Sequence, residues 1–312
     1  MHVVVTGGLG FIGSRIVSRL LSEHHAVTIL DSLVTSVVEE VSGAEVVRVD
    51  LKDADAVAAI DLMSADCLMH LASAESGPSS AKNPVGTVAD GYRIAYNVLE
   101  LAARLGVERV LHASSMTIYG NVKPEQNPVN EESPCLPVSH YGIAKLACER
   151  LVEIFCKDRG MSFNNLRMFN VYGPGQDLTR MDQGLVSIFL AMLIKSPKVV
   201  SMGSLERFRD VVHIDDVVTA WMLCATQNQT DGPLNVGSGE RLTIGELCSV
   251  VANELGIADQ LEIEVAGGTP GDIFGIVADI SALRGAAGFT PAFPPSRGVR
   301  QFTRWAMDHA HS

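Results

Sequence analysis

Tyr141 and Lys145 stand four residues apart at the start of an apolar-periodic stretch. On a helix that spacing puts both side chains on one face, about one turn apart. A phenol ordinarily keeps its proton up to about pH 10. An ammonium beside it stabilises the phenolate, which makes the phenol usable as acid and base near neutrality. Ser115 closes an apolar run that starts near Val107, where a hydroxyl can hydrogen-bond a substrate oxygen. A Tyr-x-x-x-Lys pair alone also fits a solvated helix start, so the surrounding elements must decide.

Those elements begin at the N-terminus. Val3-Val4-Val5 is a β-branched run of the kind that forms a strand buried on both faces. Gly7, Gly10 and Gly13 follow at intervals of three, and Ile12, Ile16, Val17, Leu20 and Leu21 continue at helical spacing. A strand, a tight turn and a helix N-terminus together make an anion site, with unpaired N–H groups and a partial positive charge. Gly7 can take backbone angles closed to other residues. Gly10 lets the main chain approach a pyrophosphate, and Gly13 lets the helix lie close on the strand. A second apolar run, residues 26–30, ends in Asp31-Ser32, about 20 residues on, as a dinucleotide fold requires. An acid there accepts both ribose hydroxyls and repels a 2′-phosphate, and no Arg or Lys follows before Arg48. NAD is therefore expected rather than NADP.

Strand-like runs recur at residues 45–49, ending at Asp50-Leu51, and at 67–72, ending in Leu71-Ala72 with Ser73 after it. Small residues after a strand let a flat ligand approach. Further strands are expected at 107–113 and 163–169, with helices at 54–63, 92–105 and 141–156, the last capped by Ser139. The alternation predicts an α/β fold, a Rossmann-type doubly wound parallel sheet. Beyond Asn170 to Gly175 the alternation weakens. Residues 1–169 are expected to hold the cofactor. Residues 170–312 are expected to form a smaller C-terminal α/β region for substrate, with a strand near 233–236 returning to the sheet. Helices are expected at 186–194, 215–225 and 243–255, and a looped tail at 267–272 and 291–295.

Composition removes several function classes. The 312 residues carry a net charge of −12 without a basic run, which disfavours nucleic acid and anionic membranes as partners. No apolar run approaches the length of a membrane span, and no charged leader with an apolar core opens the chain. The six cysteines show neither C-x-x-C nor metal-ligand spacing, so no metal is expected, and reduced thiols in a cytoplasmic protein are.

Taken together, Thr6-Gly7-x-x-Gly10-x-x-Gly13, Asp31, Asp50-Leu51, His70-Leu71-Ala72, Ser115-x-x-x-Tyr119-Gly120 and Tyr141-Gly142-x-x-Lys145 resemble the extended short-chain dehydrogenase/reductases. Arg167-x-Phe169-Asn170-Val171-Tyr172-Gly173-Pro174-Gly175, Arg209-Asp210-x-x-His213-x-Asp215-Asp216 and Asn235-Val236-Gly237-Ser238 narrow the resemblance to their NAD-dependent epimerase/dehydratase branch, and it spans nearly the whole chain. The resemblance implies that Tyr141 removes a proton from a sugar hydroxyl while hydride leaves for NAD. Lys145 would bind the nicotinamide ribose, and Ser115 would hold the reacting oxygen. In an epimerase of this kind the 4-keto intermediate turns over and takes hydride back, so NAD is retained. Cofactor contacts are expected at Gly7, Gly10, Phe11, Ile12, Gly13, Asp31, Ser32, Asp50, Leu51, Leu71, Ala72, Ser73, Tyr141 and Lys145. Substrate contacts are expected at Ser115, Met116, Thr117, Asn170, Arg209 and Asp272. Arg209 would pair with a nucleotide diphosphate, since guanidinium offers two parallel bonds to phosphate oxygens. The alternatives are a turn-holding Asn170 and an Arg209 paired with Asp210 or Asp215; His213 reads as structural.

Three departures qualify the substrate. Gly91 to Ala95 stands where relatives carry Asn-Val-x-Gly-Thr. Thr269-Pro270-Gly271-Asp272 stands where they carry Arg-Pro-Gly-Asp, which removes a second diphosphate Arg. Arg207, Arg297 and Arg300 are candidates to replace it, the alternative being a substrate other than a standard nucleotide diphosphate sugar. Met116-Thr117 stands where dehydratases carry Asp-Glu, which argues against water loss. The expected activity is NAD-dependent epimerisation of a nucleotide sugar at carbon 4. The alternatives are an NAD(P)-dependent 4-ketoreductase or dehydrogenase and a non-catalytic NAD-binding protein. The resemblance implies a homodimer through the helices at 92–105 and 141–156.

Overall fold

Val3 and Val5 turn into one apolar core and Val4 into another. Ile29 and Leu30, Met69 and Leu68, and Leu111 and Val110 divide between the same two cores. Each strand is thus covered on both faces, which is why its sequence reads as an unbroken apolar run. The computed structural model describes residues 1–73, 80–180, 184–227, 230–267 and 274–309. In chain order its first part comprises β1 (His2–Thr6), α1 (Phe11–Ser22), β2 (Ala26–Asp31), β3 (Glu45–Arg48), α2 (Ala54–Ala58), β4 (Cys67–His70), α3 (Pro84–Arg104), β5 (Arg109–Ser115), α4 (His140–Arg159) and β6 (Ser162–Met168). There follow β7 (Asn170–Tyr172), α5 (Leu185–Lys195), β8 (Lys198–Met202), β9 (Phe208–Arg209), β10 (Val211–His213), α6 (Ile214–Thr226) and β11 (Gly232–Val236). The chain ends with β12 (Leu242–Thr243), α7 (Ile244–Glu254), β13 (Glu262–Ala266), β14 (Gly275–Ile276), α8 (Ser281–Ala287) and α9 (Pro295–His309).

The central sheet has seven strands in the order β11-β6-β5-β4-β1-β2-β3, every neighbouring pair parallel. α1, α6 and α8 supply the core on one face, and α2, α3 and α4 that on the other. This is the doubly wound, Rossmann-like α/β fold expected from the sequence. The strand order reverses between β1 and β4, which opens a crevice at the carboxyl ends of those strands. A third core joins α5, α7 and α9. Near it lie the pairs β7 with β10 and β8 with β13, and the small sheet β12-β9-β14.

Several elements differ from the sequence expectation. α3 starts at Pro84 rather than at residue 92. The Asn83 side chain accepts the Gly86 N–H at 3.1 Å, and Pro84 occupies a position that needs no N–H. α2 stops at Ala58 because one turn seats Val57, and Ile60 reaches the same core from the turn that follows. The tail is not all loop: α9 begins at Pro295 and buries Val299, Phe302 and Ala306 at helical spacing.

A buried ion pair fixes α4 on the sheet. Arg167 of β6 donates to both Glu149 carboxylate oxygens, Nε at 3.0 Å and Nη2 at 2.9 Å. Its Nη1 donates to the Tyr119 hydroxyl at 3.0 Å and the Glu131 carbonyl at 2.9 Å. Tyr119 donates on to Asn235 Oδ1 of β11 at 2.7 Å, and Ser114 of β5 donates to Glu149. Replacing Arg167 by Met strands the Glu149 charge in the interior, and the expected loss of stability is about 3–5 kcal/mol. Urea denaturation of the two proteins measures it, and a midpoint equal to that of the parent would contradict this role for the pair.

Candidate functional site

The turn between β1 and α1 leaves no room for side chains at two of its glycines. A Cβ on Gly7, whose φ is +67°, would lie 2.9 Å from the Ala72 amide nitrogen. One on Gly13 would lie 2.1 Å from the Gly7 carbonyl oxygen. α1 therefore rests directly on the turn, and no side chain caps its N-terminus. The amides of its first turn are left to an anion.

Beside this turn lies a groove of about 950 Å³. Of the expected cofactor residues, Gly7, Gly10, Phe11, Asp31, Ser32, Asp50, Leu51, Leu71, Ala72 and Ser73 line it. Ile12 and Gly13 do not; Gly13 acts through the close packing of α1. Asp31, at the end of β2, accepts from the Leu9 amide at 3.1 Å, the Leu33 amide at 3.0 Å and the Ser36 hydroxyl at 3.1 Å. A carboxylate has about four acceptor positions, so capacity for a ribose hydroxyl remains. Arg48 is the Cα partner of Asp31 on β3, yet it is exposed and does not line the groove. Shape, glycine turn and acid all fit an adenine dinucleotide without a 2′-phosphate.

The sequence reading missed part of this wall. Thr35, Ser36 and Val37 line the groove from the loop after β2, and Gly175, Gln176, Asp177 and Arg180 line it from the loop after β7. Arg180 is the one cation among the described lining residues. Arg15 of α1 donates to the Pro174 carbonyl at 2.9 Å and ties that loop to the glycine turn. The Gly/Pro run at 173–175 was the visible signal, but nothing local aimed it at the first helix.

At its inner end the groove meets a small cavity through Ala72 and Ser73, which line both. Tyr141 and Lys145 line the small cavity from α4. Ser139 caps that helix, its hydroxyl accepting the Gly142 N–H at 3.1 Å. Lys145 is buried, donates to the Ala113 carbonyl at 2.8 Å, and holds its Nζ 5.6 Å from the Tyr141 ring centroid. Ser115 lies two residues beyond Ala113 on β5 and lines neither space. Its oxygen accepts from the Thr117 amide at 3.3 Å and the Thr117 hydroxyl at 3.0 Å, so its own proton remains to be donated.

His70, at the end of β4, and His112, its partner in the middle of β5, stack with their ring centroids 5.5 Å apart and line the same cavity. Burial pushes both below the ordinary histidine value, His112 to about 3, with the Lys145 charge acting in the same direction.

The expected substrate residues are more scattered. Met116 and Thr117 form a short 3-10 turn after Ser115. The Asn170 side chain donates to the Asp210 carbonyl at 2.8 Å and meets Met116 Sδ at 3.6 Å, so it does hold a turn. Arg209 donates to the carbonyls of Phe208 at 2.8 Å and Phe274 at 3.2 Å. Burial and the neighbouring Arg207 charge lower it to about 10. Asp210 is not its partner: that carboxylate accepts from Ser238, Gly239 and Ala278. His213 is enclosed, stacked on Phe293 at 4.1 Å. Asp272 and Thr269 lie outside the described residues.

The profile of the NAD-dependent epimerase/dehydratase family matches residues 3–237. The chain is 31% identical to the UDP-glucose 4-epimerase of Mycolicibacterium smegmatis, over 96% of each. The crystal structure of Thermotoga maritima UDP-glucose 4-epimerase with UDP-glucose superposes with a TM-score of 0.92 at 28% identity, covering 99% of this chain and 100% of that one. The Thermus thermophilus UDP-glucose 4-epimerase in complex with NAD gives 0.87 at 32% identity, covering 98% of each.

The histidine pair makes stability depend on pH. Unfolded, each ring binds a proton below about pH 6.5; folded, His112 stays neutral to about pH 3. The unfolded state therefore binds more protons in that window, and stability falls as pH drops, by up to about 1.4 kcal/mol per pH unit for each ring. Substituting His112→Gln removes one contribution. Between pH 6.5 and 5 the parent should lose about 2 kcal/mol more than the variant in urea titrations; parallel losses would contradict the assignment.

Proposed function

The chain belongs to the NAD-dependent epimerase/dehydratase family, and from that premise we propose that it interconverts the carbon-4 epimers of a uridine diphosphate sugar. The observation that carries the reading is the Tyr141–Lys145 pair, set where the dinucleotide groove ends. NAD, when bound, supplies reversible acceptance of the hydride that leaves carbon 4. Gly7, Gly10, the first turn of α1 and Asp31 hold it, with Asp50, Leu51 and the loop at 173–180 closing the adenosine and pyrophosphate parts.

Tyr141 takes the proton of the 4-hydroxyl and returns it to the re-formed hydroxyl. Lys145 keeps its ammonium beside the ring and on the ribose. Ser115 donates to the reacting oxygen and so favours the form in which that oxygen gains negative charge. Arg209 and Arg207, adjacent enough to repel each other, meet the diphosphate together, so Arg207 takes the place of the Arg absent at Thr269. Residues 1–169 serve the cofactor and residues 170–312 mainly the substrate.

The enzyme is proposed to work as a cytoplasmic homodimer. All six cysteines are unpaired, and among the described residues no helix is long and apolar enough to cross a membrane. α3 and α4 leave Tyr92, Tyr96, Ile143 and Ile154 exposed, an apolar face suited to a second copy.

Mixed with UDP-galactose, the protein as purified should yield UDP-glucose with no free NADH. Steady formation of NADH would instead mark a dehydrogenase, and no turnover of any nucleotide sugar would mark a binding protein. Tyr141→Phe should cut the rate by about 10²–10⁴ while mass spectrometry still finds NAD on the protein; an unimpaired variant would remove Tyr141 from the role. Light scattering should read a dimer mass, and Ile154→Asp should shift it towards the monomer.

A further inference from the structure

The cavity beneath Tyr141 and Lys145 has about 10 Å³ open to the centre of a water molecule, room for one water. The hydrogen bonds around it settle which histidine atoms face it. The Asn165 side-chain amide donates to the Glu149 carbonyl at 3.2 Å, so its Oδ1 points at His112 Nδ1, 2.9 Å away. His112 therefore carries its proton on Nδ1, and its Nε2 is a bare acceptor. Thr6 Oγ1 accepts from the Ala72 amide at 3.2 Å, and among the described residues the acceptor its own proton finds is His70 Nδ1, 2.8 Å away. His70 then carries its proton on Nε2 and is a donor. Among the described residues neither Nε2 of the pair has a hydrogen-bond partner within the protein, and both rings line this cavity.

His70, His112 and Lys145 thus line together a volume that fits one water. We propose that a single water occupies it, accepting from His70 Nε2 and Lys145 Nζ and donating to His112 Nε2, and that His112 is a positioning residue that steadies the Lys145 ammonium through it. The inference rests on the reading of Tyr141 and Lys145 as the acid/base pair. Its chemical point is charge: a neutral acceptor holds the ammonium without cancelling it, where a carboxylate would spend the charge that Tyr141 needs. Among the described residues, the groups facing Lys145 bear this out. β4 and β5 present the two histidines, which stay neutral. α3 presents Thr87 and Gly91 to the cavity, and α4 adds Tyr141 and the Cys148 thiol, which burial keeps protonated. Glu149, one turn on, and Arg167 of β6 are committed to each other.

Two experiments test this. In a crystal structure of the NAD-loaded protein at a resolution that shows ordered water, one water should lie within 3.2 Å of both Lys145 Nζ and His112 Nε2; an empty cavity overturns the proposal, whatever the activity proves to be. In pH–rate profiles with UDP-galactose, His112→Phe should move the half-maximal point of the acid limb up by about one pH unit, a tenfold loss on that limb, with KM changed less than twofold. His112→Gln, which keeps an acceptor, should restore the parent profile. A folded, NAD-loaded His112→Phe enzyme with the parent profile overturns the positioning role. A parent that turns over no nucleotide sugar overturns the functional reading, and the crystallographic arm still judges the water.

Discussion

The orientation of α4 depends on one buried pair, Arg167 with Glu149. Glu149 lies four residues after Lys145, and Lys145 four after Tyr141, so the three share one helical face. Two guanidinium bonds to Glu149 set the rotation of that face against β6. Ser114 meets the same carboxylate from β5, one residue before Ser115. The pair therefore fixes the helix that carries the phenol and ammonium, and the strand that carries the hydroxyl. A buried ion pair is a poor investment in stability alone, since an apolar replacement often serves as well. It does supply register: a greasy contact tolerates a sliding helix, whereas a forked pair does not.

Carboxylates elsewhere in the interior are committed in the same way. Asp210 gathers donors from Ser238, Gly239 and Ala278, and Asp216 accepts the amides of Ala292 and Phe293. These acids staple the C-terminal loops to β10 and α6 and spend their charge on backbone amides. Around Lys145 the polar groups among the described residues that line its cavity are uncharged or neutral instead. Among those residues negative charge holds architecture and is kept from the ammonium beside Tyr141.

How much of this could be read in the chain follows from how local each determinant is. The glycine turn, Asp31, the Ser139 cap and the Tyr141–Lys145 spacing are set within a few residues by backbone freedom and helical period. They needed no partner to be recognised. The wall formed by Gly175 to Arg180 was invisible because it faces the groove only after Arg15 seizes the Pro174 carbonyl, 159 residues away in sequence. Glu149 looked like any helix-surface acid until Arg167 arrived from the next strand. β7 to β10 and β12 to β14 are two to five residues long, too short for a period-two pattern to assert itself. α9 was hidden by the prolines before it, although Val299, Phe302 and Ala306 carry the right spacing.

The same contrast explains why the family is written plainly in this chain and the sugar is not. Cofactor recognition rests on main-chain amides and one carboxylate, so it demands particular glycines and one acid at set distances. The proposed substrate contacts lie on β7, β9 and the turn after β5, which meet only in the folded molecule. Met116 shows the consequence. It follows the Ser115 hydroxyl directly, its sulfur touches the Asn170 amide, and Asn170 is in turn fixed by the Asp210 carbonyl. On the proposed function, a side chain of that bulk next to Ser115 would restrict how a sugar ring can turn between its two faces. Its neighbour Asn170, with its amide already engaged, is poorly placed to relieve the restriction. On the proposed function, selectivity among nucleotide sugars would fall to shape at Met116 and to charge at Arg207 and Arg209 rather than to the dinucleotide machinery.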